Sequence, residues 1–408
     1  MTLYIVRRSL QNIMFVMLSG LLLYTTLVML MPGSNTPATR YNALKGQLQD
    51  PAPVESYVVP VQIQFQELEQ QYKLDKPWPL NFLTWLFDPS VTETEGYDLS
   101  GNLVRTPKGI DVTILGLQIR GSGVITGDFG RGERYAARAP ISEIIEDRWF
   151  NTLILLMTSF GLILLVGIPL GIFGALRQRS AMDYVFTTFT IGGLSIPPFL
   201  LGLLLIILFA ILPSALHNQN GWTWLPWLPA GGVGDRSDFW DGVSHLVLPS
   251  ITLAIAQIAW LSRYTRFAML DVLRQDYIRT AWAKGLSARR VVFKHALRNT
   301  LIPLITQFAL LLPTLTSTAV VVETVFAYEG MGRAFFSAMG GCLVSSTMLL
   351  SQDPRPCPWS GYWPIDTQFA LVLLLILVVV VAVSNLLADV LYVVADPRIS
   401  YASDARSS

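Results

Sequence analysis

Six stretches of the chain are each long and apolar enough to cross a lipid bilayer, and none of them contains a charged residue or a histidine. About 20 apolar residues span the hydrocarbon core as a helix, which satisfies its own backbone hydrogen bonds there. With 52% hydrophobic and only 14% charged residues, the composition is that of a membrane protein. The stretches are Ser9–Met31, Phe150–Leu176, Tyr184–Leu212, Leu246–Leu261, Leu301–Val322 and Phe369–Ala388. The predicted fold class is an all-α membrane protein with six transmembrane helices.

The positions of the basic residues predict that both termini lie in the cytosol. With the N-terminus inside, 15 lysines and arginines fall on the cytosolic side and three in the two shorter outer loops. Short basic loops resist translocation, whereas long segments such as residues 32–149 escape this rule. Arg7 and Arg8 also suit a signal peptide, but the first apolar stretch is too long for one and no small-x-small cleavage site follows Met31. We therefore expect a retained first helix.

These assignments divide the chain into four parts. Residues 1–31 form the cytosolic N-terminus and first helix, and residues 32–149 form a large extracytoplasmic region. A transmembrane core follows at residues 150–391, and it contains a cytosolic loop at 263–300 and an outer insertion at 340–365. Residues 392–408 are predicted to be a cytosolic tail.

Several self-powered activities are disfavoured by what the predicted spans lack. Ion-coupled carriers and pumps usually need an ionisable group at bilayer depth, and these six cores have none. The three histidines, His217, His245 and His295, lie outside the cores, where they cannot act as the base of an intramembrane hydrolase. No G-x-x-x-x-G-K-[ST] phosphate loop occurs in the chain, so we expect ATP hydrolysis on another subunit.

Prolines and hydroxyl groups mark candidate positions for a gate or a path. Proline removes a backbone donor and kinks a helix, which is compatible with ordinary bending or with a hinge. Thr314, Thr316, Ser317 and Thr318 follow Pro313, where hydroxyl groups can line a wet path or bond across helices. Glu323 either forms a structural ion pair with Arg333 or shapes the outer gate. The path or gate candidates are Pro197, Pro198, Pro313, Thr314, Ser317 and Glu323.

The basic segment 263–300 is predicted to be a helix, a sharp turn and a second helix. The first helix runs from Asp271 to Lys284, Gly285 supplies a left-handed C-terminal cap, and Ser287 N-caps a helix that ends at about Asn299. The second helix has an apolar strip and a basic face. Such an element can serve as a handle, that is, a docking element that a soluble energy-supplying subunit binds and moves. It equally suits a patch for anionic lipids, where each charge contributes about 1 kcal/mol.

The segment Asp276-Tyr-Ile-Arg-Thr-Ala-Trp-Ala-Lys-Gly-Leu-Ser287, followed by His295-Ala-Leu-Arg-Asn-Thr-Leu-Ile-Pro303, resembles the cytosolic loop of ABC importer permeases of the dipeptide and oligopeptide class. Arg279-Thr-Ala281 replaces the Glu-Ala-Ala of the broader family, and Arg298 replaces a proline, as is common in the peptide branch. Further motifs follow in the order of that class. They are Gly127-Asp-Phe-Gly130, Gly167-Ile-Pro-Leu-Gly171, His245-Leu-Val-Leu-Pro249, Val322-Glu-Thr-Val-Phe326, Gly330-Met-Gly332 and Asp396-Pro-Arg398.

The resemblance implies a type I ABC importer permease fold with a large extracytoplasmic loop after the first helix. It also implies a second permease, two ATP-binding subunits that carry ATP and Mg, and an extracytoplasmic solute-binding protein, all at the cell membrane. This chain would bind no cofactor or metal and would work by alternating access. The residues expected to couple it to the ATPase are Ala281, Lys284, Gly285, Leu286, Ser287, Arg289, Arg290 and Lys294.

Di- and oligopeptides are the expected cargo, and two other interpretations remain open. The same architecture can import nickel chelates, glutathione or sugars, because selectivity lies largely in the separate binding protein. A membrane receptor or scaffold without transport activity is the alternative of another class. Co-purification with an ATPase and a second permease would distinguish transport from the scaffold.

Two insertions depart from the family pattern, and one further loop is rich in tryptophan. Pro89–Ile125 contains the alternating segment 112–119, which predicts a small hairpin. Gly340–Ile365 carries Cys342 and Cys357, either as a disulfide or as two free thiols. The loop after the third span holds Trp222, Trp224 and Trp227, typical of an interfacial anchor and compatible with a docking surface for the binding protein.

Overall fold

The structure, a computed structural model, describes a defined set of residues along the chain. These are residues 2–30, 37–49, 65–66, 69, 72–86, 93–97, 103–107, 112–114, 117–119, 129, 141–178, 180–220, 227–235, 237–339 and 366–395.

Within these ranges, six helices are long and apolar enough to cross a membrane. The prediction of six membrane-spanning helices is thereby confirmed, and the chain is a multi-pass membrane protein. The candidate spans are Arg7–Val28, Ile141–Leu176, Pro198–His217, Phe239–Leu273, Pro303–Val325 and Thr367–Leu386.

Helices provide nearly all the regular structure of the described residues. In chain order they are α1 Thr2–Tyr24, α2 Pro37–Gln49, α3 Leu80–Leu86, α4 Ile141–Leu176, α5 Ala181–Ser195, α6 Pro198–Ile206, α7 Leu212–Asn220, α8 Phe239–Leu273, α9 Asp276–Ala283, α10 Ala288–Arg290, α11 Leu297–Val325, α12 Met331–Ala338 and α13 Thr367–Ala395. Wide π-helical turns extend α1 through Thr25–Leu30, join α6 to α7 through Ile207–Ile211, and join α10 to α11 through Val291–Ala296.

The predicted hairpin in the first insertion is confirmed. Strands β3 Val112–Ile114 and β4 Leu117–Ile119 pair antiparallel, with Val112 opposite Ile119. A further antiparallel hairpin precedes it, formed by β1 Glu93–Tyr97 and β2 Leu103–Pro107.

The third predicted span differs from the sequence prediction, because the helix is interrupted. Helix α5 ends at Ser195, and α6 begins at Pro198. Ile196 and Pro197 adopt extended backbone angles (φ −87° and ψ 122°, φ −59° and ψ 140°). Proline disfavours the helical conformation of the residue before it, so the Pro197-Pro198 pair accounts for the break.

Other helix limits also differ from those predicted. Helices α4 and α8 extend beyond the apolar stretches at one or both ends, so they include polar residues that hydropathy alone excludes. Consequently His245 lies inside α8, and Glu323 lies inside α11, which likewise extends past its apolar stretch to Val325. The first arm of the basic segment is divided at Arg274 and Gln275, and its second arm continues into α11 without ending at Asn299.

Helices α4 and α8 form the closest long pairing of the bundle. A Cβ on Gly171 would lie 2.6 Å from the Ser262 carbonyl oxygen and would overlap the Thr265 side chain. Gly167 and Gly174 lie on the same face of α4, against Leu261 and Arg266. Small residues allow this approach, which matters because apolar side chains gain little by leaving lipid for protein.

Three apolar clusters occupy successive levels of the bundle. We call the end that carries residues 276–299 the basic end, and the end that carries α2, α3 and α12 the loop end. The loop-end cluster is aromatic and includes Tyr24, Tyr72, Phe82, Trp85 and Phe369. The central cluster joins α4, α8 and α11 through leucines such as Leu155, Leu253 and Leu311, and the third cluster lies at the basic end.

Replacement of Gly171 with alanine is expected to destabilise the bundle. The added methyl group has no space between α4 and α8, and overpacking costs about 1–3 kcal/mol. The matched control is Gly161→Ala on the same helix, where a Cβ meets nothing within 4 Å. Thermal unfolding in detergent should show a lower midpoint for Gly171→Ala alone. Equal midpoints for the two variants would contradict this packing.

Candidate functional site

Residues 276–299, which we call the coupling segment, form two helical arms at the basic end. The first arm is α9, preceded by Gln275 in an extended conformation (φ −71°, ψ 148°). The second arm begins at Ala288 and passes through the π-helical turn into α11. Ser287 precedes this arm with extended backbone angles, but its side chain makes no capping hydrogen bond in the described structure. Ser287 therefore marks the start of the second arm as predicted, but its side chain does not cap the helix.

The turn between the arms is closed by two backbone hydrogen bonds. The Leu286 N–H donates to the Ala281 carbonyl at 3.4 Å, and the Gly285 N–H donates to the Trp282 carbonyl at 2.9 Å. This pattern is a Schellman motif, whose C′ residue adopts the left-handed conformation. Gly285 has φ +72°, as predicted from the sequence. A Cβ there would meet nothing within 4 Å, so backbone conformation alone requires glycine.

The inner faces of both arms are buried against the ends of α4 and α8. Ile278 and Ala281 from the first arm meet Val291, Val292 and Ala296 from the second. The membrane helices contribute Ile172, Ala175 and Met269 to this basic-end cluster. Full burial of a valine or isoleucine contributes about 1.5–3 kcal/mol, so the segment is firmly attached. A displacement of the segment must therefore move the ends of α4 and α8.

Two hydrogen bonds brace the second arm. The Asn299 amide donates to the Tyr277 hydroxyl at 2.8 Å, which links the two arms. The Thr300 hydroxyl lies 3.2 Å from the Met269 sulfur and donates to the Ala296 carbonyl.

The eight predicted coupling residues divide into two groups. Ala281 is 6% exposed and Leu286 is half-buried, and both pack in or against the basic-end cluster. The other six are exposed: Lys284, Gly285, Ser287, Arg289, Arg290 and Lys294. The outer face also presents Tyr277, Trp282 and Phe293, at 43%, 48% and 55% exposure. These aromatic residues were not predicted, because helical periodicity assigns large apolar side chains to a buried face.

At the loop end, Glu323 is fully buried and joins three helices. Its Oε1 accepts a hydrogen bond from the Thr152 hydroxyl of α4 at 2.7 Å. Its Oε2 accepts one from the Arg333 backbone N–H at 3.0 Å, in the first turn of α12. The Thr152 hydroxyl oxygen also accepts from the Met331 N–H at 2.8 Å. We call these residues the loop-end node.

This geometry changes the interpretation of Glu323. A carboxylate at a helix N-terminus satisfies free N–H groups and interacts favourably with the helix dipole. Glu323 thus caps α12 through the backbone of Arg333, whereas the Arg333 guanidinium donates to the Ala327 carbonyl. The role of Thr152 was not predicted, because a single hydroxyl in an apolar stretch does not indicate which distant residue it will contact.

The two glycines after Glu323 are required by the same node. A Cβ on Gly330 would overlap the Glu323 carboxyl group, and one on Gly332 would lie 2.6 Å from the Val320 Cα. Tyr328 completes the node by donating its hydroxyl to the Asn151 carbonyl at 3.4 Å. Burial, and then the charge of Glu323, raises the pKa of Tyr328 to about 12, so this hydroxyl keeps its proton.

The remaining gate candidates lie in two other places. Thr314 and Ser317 are exposed on one face of α11, together with Leu310 and Val321. Their hydroxyls donate to carbonyls of their own helix, at 3.0 Å each, beside the half-buried Pro313. Pro197 and Pro198 mark the break between α5 and α6. The six candidates therefore do not form one site.

Some predictions fall on residues that the structure does not describe. Cys342, Cys357, Trp222 and Trp224 lie outside the described residues. Trp227 is 66% exposed, while its neighbour Leu228 packs against the central cluster. Among the described residues, no group of three or more His, Cys, Asp or Glu is placed to hold a metal ion.

Comparison with known proteins identifies the family. Residues 167–401 match the family described as binding-protein-dependent transport system inner membrane component. The chain belongs to this family. It is therefore a non-catalytic permease component of an ABC transporter, which associates with the other components of such a transporter, and ATP hydrolysis occurs on separate subunits.

Individual relatives agree with this assignment. The oligopeptide transport system permease protein AppB of Bacillus subtilis (strain 168) is 38% identical over 281 residues, which cover 68% of this chain and 78% of AppB. The dipeptide transport system permease protein DppB of Escherichia coli (strain K12) is 33% identical over 291 residues, 68% of this chain and 78% of DppB. The glutathione transport system permease protein GsiC of Salmonella choleraesuis (strain SC-B67) is 36% identical over 281 residues, 68% of this chain and 76% of GsiC.

Among solved structures, the inward-facing MetNI methionine ABC transporter is similar with a TM-score of 0.46 and 15% identity. The match covers 63% of this chain and 98% of that chain. The family assignment rests on the sequence matches.

Replacement of Gly330 with alanine is expected to disrupt the loop-end node. The methyl group overlaps the Glu323 carboxyl group, which its hydrogen bonds hold in place, so α12 should lose its cap. Loss of a cap costs about 0.5–2 kcal/mol. Thermal unfolding of the purified protein measures the effect, and Gly242→Ala, where a Cβ has open space, is the control. An unchanged midpoint for Gly330→Ala would contradict the capping role.

Proposed function

We propose that this chain is the permease of an ATP-driven importer for di- or oligopeptides, and that its coupling segment docks on an ATP-binding subunit. A second permease would complete the translocation path, and an extracytoplasmic binding protein would deliver the peptide. ATP and Mg would be bound by two ATP-binding subunits, with no cofactor on this chain. The peptide cargo is supported by the names of AppB and DppB.

The observation that carries this proposal is the two-sided coupling segment. One side is fixed in the basic-end cluster, and the other presents exposed cations and aromatic residues around a rigid turn. A purely lipid-binding patch needs charge but no fixed geometry. A docking element needs both a defined shape and apolar anchors that a partner pocket can desolvate. The segment provides these features, so the structure favours the handle over the lipid patch.

The orientation belongs to the same proposal. The basic end would lie in the cytosol, as would residues 1–31 up to the first helix and residues 392–408. Residues 32–149 and the insertion 340–365 would lie on the extracytoplasmic side of the membrane. This orientation follows the loop charges, and it places the loop-end node at the extracytoplasmic surface.

The path would lie against the exposed face of α11. Leu310, Thr314, Ser317 and Val321 recur at helical spacing along this face. A face with two hydroxyls but no charge suits a path that passes peptides of different charge. The second permease would cover the opposite side, and alternating access would open the path to one end at a time.

A second candidate cargo is glutathione, because GsiC covers as much of the chain as AppB does. Glutathione is itself a small peptide-like solute, so both cargoes fit the same kind of path. Uptake by the assembled transporter, measured with a labelled dipeptide, a labelled oligopeptide and labelled glutathione, distinguishes them.

Replacement of Gly285 with valine tests the coupling role. A β-branched residue at φ +72° costs about 1–2 kcal/mol in the left-handed region, so the turn should open without affecting the buried helices. We expect peptide uptake and peptide-stimulated ATP hydrolysis to be abolished in proteoliposomes, while the complex still assembles.

The matched control is Gly285→Asn, because asparagine tolerates the left-handed conformation. The asparagine variant should retain most of the uptake. Unchanged peptide-stimulated hydrolysis and uptake in the valine variant would refute the mechanism. Equal losses of uptake in both variants would show that the left-handed conformation of residue 285 does not explain the loss.

A further inference from the structure

At the basic end, one arginine connects the three helices α4, α5 and α8. The Arg266 side chain of α8 donates through Nη2 to the Asp183 carboxylate of α5 at 2.8 Å. It also donates through Nε to the Gly174 carbonyl, in the last turn of α4, at 3.3 Å. The planar guanidinium carries five N–H donors in a fixed fork, so it can donate to both acceptors at once with a defined geometry.

The two acceptors are well suited to this position. The Gly174 carbonyl lies in the last turn of α4, where helix carbonyls lack intrahelical partners. Asp183 lies in the first turn of α5, where the helix dipole favours a negative charge and the Ser180 hydroxyl accepts the Asp183 N–H. The Asp183 side chain is 11% exposed and that of Arg266 is 36% exposed. The pair is therefore better shielded than an ordinary surface ion pair.

Helix α5 also packs against α8 and α4 in the described structure. It packs along α8 at Gly193, where a Cβ would lie 3.3 Å from Ile255, but it presents Tyr184, Val185 and Ile191 to its surroundings at 67%, 62% and 51% exposure. Its far end is separated from α6 by the break at Ile196 and Pro197. The Arg266–Asp183 pair adds a polar attachment at the other end of this helix.

Arg266 lies one turn before Met269, which belongs to the basic-end cluster beneath the coupling segment. Gly174 likewise lies between Ile172 and Ala175 of that cluster. A displacement of the coupling segment thus reaches the helix turns that Arg266 joins. From there the Arg266–Asp183 ion pair provides a polar connection to α5.

We propose that the Arg266–Asp183 pair transmits movement of the coupling segment to α5, which then turns about the break at Pro197. Both residues are positioning residues. This inference rests on the proposed function, because it requires an ATPase that moves the coupling segment. It adds a route from the docking surface to the third span, which the coupling segment alone does not provide.

The test uses the complete transporter in proteoliposomes. Four variants are compared with the wild type: Arg266→Met, Asp183→Asn, the double variant and Arg177→Met. Arg177 is an exposed arginine at the end of α4, so its loss removes the same charge from the same corner. Assembly, thermal stability, basal ATP hydrolysis, peptide-stimulated hydrolysis and uptake per ATP are measured.

We expect Arg266→Met and Asp183→Asn each to assemble and to keep basal hydrolysis. Peptide-stimulated hydrolysis and uptake per ATP should fall about fivefold or more, as typical for the loss of an allosteric coupling. The double variant should lose no more than the worse single variant, because the two residues act as a unit. Arg177→Met should match the wild type.

Several outcomes would overturn the inference. Unchanged peptide-stimulated hydrolysis in Asp183→Asn would overturn it. Because asparagine has the same shape as aspartate, this variant remains informative if Arg266→Met fails to assemble. Additive losses in the double variant would show that the residues act separately. A parallel fall in stability and basal hydrolysis would mark the pair as merely structural. If the wild type itself shows no peptide-stimulated hydrolysis, the proposed function fails first, and this inference fails with it.

Discussion

The close approach of α4 and α8 is the constraint on which the rest of the structure depends. In a bilayer, helices associate through van der Waals packing and polar contacts, since burial of apolar surface gains little. Gly171 allows the α4 backbone to approach Ser262 and Thr265, and this brings the two helices together along their length. At the basic end the same helices carry the cluster beneath the coupling segment. At the loop end α4 provides Thr152 to the node around Glu323.

The two ends of this helix pair are built from different interactions. The loop-end node is polar, fully buried and closed by hydrogen bonds between α4, α11 and α12. Such networks are rigid when every member is satisfied. The basic-end cluster is apolar and leaves one face of each arm exposed. Because this cluster joins both arms to the ends of α4 and α8, the basic end is better suited to receive a movement and to pass it to those helices.

Local chemistry explains which features the sequence predicted. The six spans follow from hydropathy, and the Gly285 turn follows from one glycine between two helical patterns; both are confirmed. The second arm was predicted to end at about Asn299, ahead of Pro303, but it continues because Pro303 is accommodated inside α11. The partners of Glu323 and Arg266 were missed for another reason. Thr152 and Asp183 are distant in the sequence, and only the packing of α4 and α5 brings them near.

The break at Ile196 and Pro197 separates two helices, α5 and α6, that are attached to opposite ends of the bundle. Helix α6 is held near the loop end, because Gly202 packs against Val325 and Phe326 at the end of α11. Helix α5 is held at the basic end, on α8. A continuous helix would tie these two ends together and resist their relative movement. Because the two extended residues interrupt the helical hydrogen bonds, one span belongs to the rigid loop end on one side and to the movable basic end on the other.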